Sequence, residues 1–169
     1  MTELSFVVTP ELACPYCGVR VCSDTDWVVS ARRRWGWCGV QAVENGEIVG
    51  ALLLTPSESG GEKNALLRSL WVADPRLGLG RRLVQSACAG LVCRKVSAIV
   101  SPGSSSHFSC QVPPRAFLRH VGFGWTGGHY RLDLGATALE KGAAAQVVGR
   151  LLRSLNPINP EPATRNPDC

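Results

Sequence analysis

One segment limits the possible folds of this chain more than any other: a glycine turn between an apolar strand pattern and an amphipathic helix pattern. The strand pattern ends at Leu70–Val72, the turn contains Gly78 and Gly80, and helical spacing follows from Arg81 to about Cys93. A helix N-terminus presents unpaired backbone N–H groups, and glycines just before it let an anionic oxygen approach the main chain. The segment therefore predicts a sheet flanked by helices, with an anion-binding turn at the end of one strand.

Arginines add positive charge to this turn. Arg76, Arg81 and Arg82 surround the glycines, which suits a pyrophosphate and a ribose phosphate better than a neutral ligand. The dinucleotide-binding fingerprint needs a third glycine where Arg82 and Leu83 stand, and the lysine and hydroxyl residue of a P-loop are missing. Both of these nucleotide-binding folds are therefore disfavoured.

Strand patterns on both sides of the turn predict a mixed sheet. The clearest is a β-hairpin in which Asn45 and Gly46 supply the two positive-φ positions of a tight turn. The predicted elements are a strand at Ser5–Val8, a helix capped by Asp24 or Thr25 and ending near Trp35, strands at Val40–Val43, Ile48–Leu54 and Ala65–Val72, and a loop at Thr55–Asn64. A strand at Val96–Val100 is expected to run parallel to its predecessor, because a helical crossover connects them.

The C-terminal part of the chain contains weaker signals. They predict a loop at Ser101–Pro114, a short helix at Arg115–His120, a strand within Phe123–Leu134 and an amphipathic helix at Ala136–Leu155. Residues 156–169 contain four prolines and little apolar content, which is typical of a disordered tail. We therefore expect one domain at residues 1–155, followed by the tail.

Composition excludes several classes of protein. The chain has 169 residues, of which 45% are hydrophobic and 18% charged, as expected for one packed domain. A net charge of +5, scattered along the chain, lacks the dense basic stripe of a nucleic-acid interface, so nucleic acid is disfavoured as a partner. No apolar run is long enough to span a membrane and the first residues lack an export signal, so we predict a cytoplasmic protein without membrane contact.

Eight cysteines require an explanation in a chain expected to be cytoplasmic, where disulfides are rare. Cys14 and Cys17 have the C-x-x-C spacing of a zinc knuckle, yet no second pair of ligands follows at the spacing of a zinc finger. We therefore predict buried or reduced thiols and no metal. The candidate ligands, should a metal bind, are Cys14, Cys17, Cys38 and Cys110.

Two segments together resemble the GNAT superfamily of N-acetyltransferases, whose signature is an R/Q-x-x-G-x-G/A turn between the fourth strand and the third helix. The first is Gly78–Leu83 after the strand end at Leu70–Val72. The second is Ala116–Phe123, which is similar to the passage from a helix through Gly-Phe into the sixth strand of that family. The match spans roughly residues 38–134. The early cysteines and Cys110 resemble an actinobacterial branch of the superfamily.

The resemblance implies an α/β fold with a central mixed sheet of six or seven strands, splayed between the fourth and fifth. It implies direct attack of a primary amine, on a small molecule or a protein, on the thioester of acetyl-CoA. A backbone N–H near Trp71 or Val72 would stabilise the oxyanion, and the oligomeric state stays open, a homodimer included. The cofactor-binding residues it implies are Leu70, Trp71, Val72, Arg76, Leu77, Gly78, Leu79, Gly80, Arg81 and Arg82.

The chain departs from the family pattern at three places. Pro75 occupies the first position of the signature, Leu118 stands where many members have a tyrosine, and the strand Ala65–Val72 contains no glutamate. No catalytic residue is therefore assigned, and the candidates are Ser69, His107, His120 and Cys110. The alternative to an enzyme is a noncatalytic acyl-CoA-binding regulatory module, with the N-terminal cysteines available for a structural zinc site.

Overall fold

The computed structural model of the chain describes residues 1–59, 62–103 and 110–135. Strands dominate the described part, and three α-helices connect or flank them. In chain order the elements are β1 (Glu3–Val7), β2 (Leu12–Ala13), β3 (Arg20–Val21), α1 (Asp26–Trp35), β4 (Gly39–Glu44), β5 (Glu47–Ser59), β6 (Glu62–Val72), a 3-10 turn (Pro75–Leu77), α2 (Leu79–Val92), β7 (Ala98–Ser101), α3 (Arg115–His120), β8 (Gly124–Trp125) and β9 (Tyr130–Asp133).

A seven-stranded mixed sheet forms the centre of the described structure. Its strand order is β1-β4-β5-β6-β7-β9-β8. β6 and β7 are parallel, and all other neighbours are antiparallel. A separate hairpin pairs β2 with β3. The predicted α/β fold with a mixed sheet is confirmed, at the higher of the two predicted strand numbers.

Helices α1 and α2 pack on opposite faces of this sheet. A Cβ added to Gly50 of β5 would come 3.2 and 3.3 Å from the side chains of Leu79 and Leu83, so this residue lies directly under α2. Leu53 of the same strand instead lines a cavity with Trp27 of α1. Since side chains alternate along a strand, positions of opposite parity face different helices. The sheet therefore has two independent surfaces on which a site could be built.

Most predicted elements are confirmed, with small changes at their ends. Asn45 (φ 52°) and Gly46 (φ 82°) form the tight turn between β4 and β5. Helix α2 begins two residues before the predicted start, because Gly78 is its N-cap. Helix α3 has the predicted bounds, and β7 runs parallel to β6 as expected. The predicted helix at 136–155 and the tail at 156–169 lie outside the described residues, so the division into one domain and a tail stays a prediction.

The interpretation of Thr55–Asn64 as a loop is wrong. β5 continues to Ser59 and β6 begins at Glu62, and Thr55–Ser59 pair with Glu62–Leu66. Pro56 is tolerated here because the pairing of β5 with β4 ends at Leu53, which leaves one edge of β5 without a neighbouring strand among the described residues. The β2–β3 hairpin was not predicted at all, since each of its strands has only two residues.

None of the helices in the described part of the chain is long and apolar enough to span a membrane.

Replacement of Gly39 by alanine should destabilise the sheet strongly. A Cβ at this position would overlap the backbone carbonyl oxygen of Leu52 and lie 2.7 Å from the Leu53 side chain, so β4 and β5 would have to separate. We expect the free energy of unfolding to fall by about 2 kcal/mol or more, measured by urea denaturation followed by tryptophan fluorescence.

Gly128→Ala is the matched control, since a Cβ there would meet nothing within 4 Å. We expect its free energy of unfolding to stay within about 0.5 kcal/mol of the unaltered chain. Equal stability of the two variants would contradict the tight β4–β5 contact.

Candidate functional site

A bulge in β6 separates this strand into two halves. The pairing register with β5 skips Arg68, whose two neighbours pair with consecutive residues of β5. The parallel pairing with β7 covers only Asn64–Leu66, in the first half. The second half, Ser69–Val72, is not paired with β7, which ends at Ser101, and the bulge bends this half of β6 away from the line of the first. The predicted splay between the fourth and fifth strands is therefore present between β6 and β7, the numbers being shifted by the β2–β3 hairpin.

Alternate backbone groups in the second half of β6 face the gap left by this divergence. The N–H of Leu70 donates to the carbonyl of Cys110, in the segment that follows β7. Both backbone groups of a strand residue point to the same side, and the side alternates along the strand. The N–H of Val72 therefore faces the gap, whereas that of Trp71 faces β5, where this residue is paired with Ala51.

The glycine turn follows directly from the end of β6. Asp74 begins it, and its carboxylate accepts a hydrogen bond of 2.9 Å from the backbone N–H of Arg76. Gly78 then takes a left-handed conformation (φ 67°, ψ 12°) and serves as the N-cap of α2. Glycine has no side chain that could cap the helix, and the first backbone N–H groups of a helix have no acceptor within it. The N-terminus of α2 is therefore suited to hold an anion.

The three arginines of the turn differ in their hydrogen-bond partners. The guanidinium of Arg76 makes two hydrogen bonds of 3.1 Å to the carboxylate of Asp74, and this contact lowers the pKa of Asp74 below its usual value. Arg82 reaches back to the N-terminal strand region and donates to the carbonyl of Thr2 at 3.4 Å. Arg81 is exposed in the first turn of α2. It therefore belongs to the same helical turn as the amides that have no acceptor within the helix.

Gly80 is required for packing as well as for access. A Cβ at this position would lie 3.0 Å from the ring of Phe117, which belongs to α3. The absence of a side chain lets α3 approach the N-terminus of α2 closely. From the sequence, Gly78 and Gly80 were both predicted to let a phosphate approach the main chain. The structure adds a second reason for Gly80, the close contact between α2 and α3.

A cavity of about 350 Å³ lies against the second half of β6 on the face that carries α1. Ser69 and Trp71 contribute to it from the strand, and Trp27 contributes from α1. Arg68 lies with its guanidinium carbon 5.5 Å from the centroid of the Trp27 ring, in a cation–π arrangement. The rest of the polar lining consists of Arg20, Thr25, Gln111 and the thiols of Cys14, Cys17 and Cys110. None of the described lining residues is an aspartate or a glutamate.

The predicted catalytic candidates fall in different places. Ser69 lines the cavity, and Cys110 lies beside it, buried. His120 is exposed at the end of α3 and is not among the described lining residues. Leu118, at the position where many GNAT members have a tyrosine, is fully buried in the core. His107 lies outside the described residues.

Three of the four candidate metal ligands come together. The Sγ atoms of Cys14, Cys17 and Cys110 all lie within 4.8 Å of one another. The fourth, Cys38, lies apart from them, and its thiol donates to the carbonyl of Val7 at 3.3 Å. Burial raises the pKa of Cys38 to about 11.

A hydrogen bond joins the thiols of Cys17 and Cys110, which lie in two different environments. The thiol of Cys110 donates to the sulfur of Cys17 at 3.0 Å. This hydrogen bond lowers the pKa of Cys17, with a further contribution from the backbone of Val19. Burial, and then the same hydrogen bond, raise the pKa of Cys110 to about 12. A thiolate at Cys110 is therefore scarce at neutral pH, which disfavours this residue as a covalent acyl carrier.

Solved structures with a similar fold include a toxin, the protein Ard1 and a GNAT family acetyltransferase. A mutant of the toxin AtaT, bound to the C-terminus of the antitoxin AtaR, matches with a TM-score of 0.56 at 13% identity over 82% of this chain and 96% of that one. Ard1 from Thermoplasma volcanium matches with a TM-score of 0.53 at 13% identity, over 77% and 94% of the two chains. A GNAT family acetyltransferase from Brucella melitensis, in complex with acetyl-CoA, matches with a TM-score of 0.52 at 17% identity, over 79% and 88%. No family model and no curated protein matches the sequence.

The chain has the GNAT fold. Within this fold, the N-terminal hairpin supplies a contact that the sequence did not predict. The hydroxyl of Tyr16, in the turn between β2 and β3, lies 2.7 Å from the carbonyl oxygen of Val72 and 3.1 Å from that of Ala73. The C-x-x-C spacing around Tyr16 was the only signal that this turn is special.

Replacement of Gly78 by alanine should strain the turn at the start of α2. A Cβ in the left-handed conformation costs roughly 1–2 kcal/mol, although nothing within 4 Å would collide with it. We expect a loss of about 1 kcal/mol in the free energy of unfolding, measured by urea denaturation. Gly78→Asn is the control and should lose less, because asparagine tolerates this conformation better. A smaller loss for alanine than for asparagine would contradict the conformation assigned to Gly78.

Proposed function

We propose that this chain transfers an acetyl group from acetyl-CoA to a primary amine. The observation that carries the proposal is the gap between β6 and β7, which opens at the bulge of Arg68 and ends at the glycine turn before α2. The gap exposes backbone groups of β6 that can pair with an extended chain, and the turn offers helix amides to a diphosphate. The fold shared with the acetyl-CoA complex from Brucella melitensis supports the same assignment.

The residues of the turn fit the diphosphate of coenzyme A. The first backbone N–H groups of α2, at Leu79, Gly80 and Arg81, would hold its oxygens, and the Arg81 side chain would add charge. The pantetheine arm would lie along the second half of β6. Acetyl-CoA would supply an activated acyl thioester in the gap. The N–H of Val72, which faces the gap, is better placed than that of Trp71 to stabilise the oxyanion.

The cavity beside Ser69 is the proposed acceptor site. It lies on the α1 face of β6, opposite the face that carries the glycine turn and α2, so donor and acceptor would meet at the gap from two sides. Arg20 and Arg68 are its charged lining residues. A polycationic acceptor would find positive charge and no carboxylate among the described lining residues. We therefore propose an acceptor amine that also carries a carboxylate or a phosphate.

No carboxylate or histidine is assigned to proton transfer. The described cavity lining contains neither, so the amine would lose its proton to water while the cavity holds it in place. Tyr16 is the nearest phenol to the gap that the described residues show, through its bond to the Val72 carbonyl. Leu118, which is buried in the core, stands where many GNAT members have a tyrosine. The lack of a carboxylate or histidine in the described lining, together with Leu118, favours the second candidate function, a noncatalytic acyl-CoA-binding module.

Charge reversal at Arg81 tests the diphosphate site. Arg81→Glu should weaken the affinity for CoA about tenfold or more, because it replaces a phosphate partner with a like charge. A glutamate in the first turn of a helix is itself favourable by about 0.3–1 kcal/mol, so the fold should be retained. Isothermal titration calorimetry with CoA gives the dissociation constant.

The matched control is Arg33→Glu, an exposed position on α1 that changes the net charge by the same amount. It should leave CoA affinity nearly unchanged. Equal weakening by both variants would show a general charge effect, and no weakening by either would refute the proposed diphosphate site.

A panel of amines tests the acceptor and separates the two functions. Release of the CoA thiol should be faster with amines that carry a carboxylate or a phosphate than with polyamines of equal size. Arg68→Gln should raise the KM for the anionic amine about fivefold, as expected for the loss of one charge-assisted contact, without changing the CoA dissociation constant. Faster reaction with polyamines would contradict the acceptor class. Tight CoA binding with no thiol release on any amine would favour the noncatalytic module.

A further inference from the structure

We propose that Cys14, Cys17 and Cys110 bind a structural zinc ion that joins the β2–β3 hairpin to the segment after β7. Their sulfur atoms all lie within 4.8 Å of one another, and those of Cys17 and Cys110 are 3.0 Å apart. Thiolates bound to tetrahedral zinc at about 2.3 Å stand about 3.8 Å from each other. The 3.0 Å separation is shorter than this value and the other two do not exceed 4.8 Å, so shifts of about 1 Å or less would place all three around one ion.

The hairpin has the local geometry of a zinc knuckle. The N–H of Gly18 donates to the carbonyl of Cys14 at 2.9 Å, and the N–H of Cys14 donates to the carbonyl of Val19 at 2.9 Å. Gly18 takes the left-handed conformation, with φ of 69°, that closes such a turn. The Val19 backbone also hydrogen-bonds to the sulfur of Cys17. Amides aimed at a ligand sulfur orient it and offset its negative charge.

A metal explains the cluster better than a disulfide does. A disulfide would use two of the sulfurs and leave a third thiol against the bond, whereas a metal uses all three. Cys14 and Cys110 are 6% and 5% exposed, whereas Cys17 is exposed, so the cluster lies between two segments with one sulfur open to the surface. Thiolate ligands select zinc among the common divalent ions that proteins bind for structure.

The described residues supply three of the four ligands that structural zinc sites use. In the sequence, His107 precedes Cys110 by the same number of positions as Cys14 precedes Cys17. His107 lies outside the described residues, and the proposed site is defined by the three cysteines alone.

The position of the ion gives it a structural role beside the gap. The knuckle carries Tyr16, which donates to the carbonyl of Val72, and Cys110 accepts through its carbonyl from the N–H of Leu70. Zinc would therefore fix both segments against the second half of β6. This inference does not depend on acyl transfer, since it rests on the cysteine geometry.

Metal analysis of the full-length chain tests the site. Protein produced with added zinc and purified without chelator should contain about one zinc ion per chain by mass spectrometry of the metal. Cys17→Ser and Cys110→Ser should lose most of it. Cys22→Ser is the matched control, because Cys22 is an exposed cysteine of the same region outside the cluster, and it should keep its zinc.

Cobalt substitution provides a second measurement that needs no variant. Co²⁺ in place of zinc should give the intense thiolate-to-cobalt charge-transfer absorption of a tetrahedral sulfur site. Chelation should speed hydrogen exchange at the Leu70 amide, which bonds to Cys110, while the amide of Leu83 in the core of α2 stays protected.

Three results would overturn the proposal. The first is a folded, unaltered chain that takes up neither zinc nor cobalt when either is supplied. The second is zinc retained in Cys17→Ser and Cys110→Ser but lost in Cys22→Ser. The third is a disulfide between Cys17 and Cys110 in protein isolated with thiols blocked. If the serine variants fail to fold, as judged by circular dichroism, the cobalt spectrum of the unaltered chain decides.

Discussion

The whole site depends on one extra residue in β6. Arg68 has no partner on β5, and this bulge ends the parallel pairing of β6 with β7 after Leu66. β7 ends at Ser101, so beyond the bulge no strand satisfies the backbone groups on that side of β6 in the described part of the chain. The bulge leaves a row of backbone groups facing a gap, and the turn at Gly78 follows a few residues later along the same strand. Strand geometry, more than any side chain, therefore creates the place where a ligand can bind.

Two segments outside the sheet already occupy part of the β6 edge that the bulge exposes. The carbonyl of Cys110 accepts a hydrogen bond from the N–H of Leu70, and the hydroxyl of Tyr16 donates one to the carbonyl of Val72. A pantetheine arm in the gap would pair with the backbone groups of the same two residues that remain, or would displace one of these contacts. The cysteine cluster joins the two competing segments, so the width of the gap and the position of the cluster are coupled. Whatever holds the three sulfurs together also sets how much of β6 a ligand can reach.

Local sequence signals predicted the elements, and contacts between distant residues were beyond them. The Asn45–Gly46 turn, the amphipathic α2 and the helix at Arg115–His120 follow from propensity and spacing over a few residues. The extension of β5 to Ser59 depends on a partner strand that covers polar residues, which overrides their preference for loops. Cys17 and Cys110 are 93 positions apart, so no spacing rule could join them. The C-x-x-C of the hairpin indicated one half of that cluster, and only the fold supplies the other half.

Charge at the glycine turn is less available than the number of arginines suggests. Arg76 is bound to Asp74 through two side-chain hydrogen bonds, and the pKa of the carboxylate is lowered by that contact. To reach a phosphate, Arg76 would have to give up a carboxylate partner, so its net gain would be small. Arg82 is directed toward Thr2. Affinity for the proposed diphosphate would then come chiefly from the amides at the N-terminus of α2, with Arg81 as the remaining arginine of the turn. A preformed amide site of this kind tolerates the proline at the first position of the signature, because Pro75 lies outside the helix and removes none of the N–H groups involved.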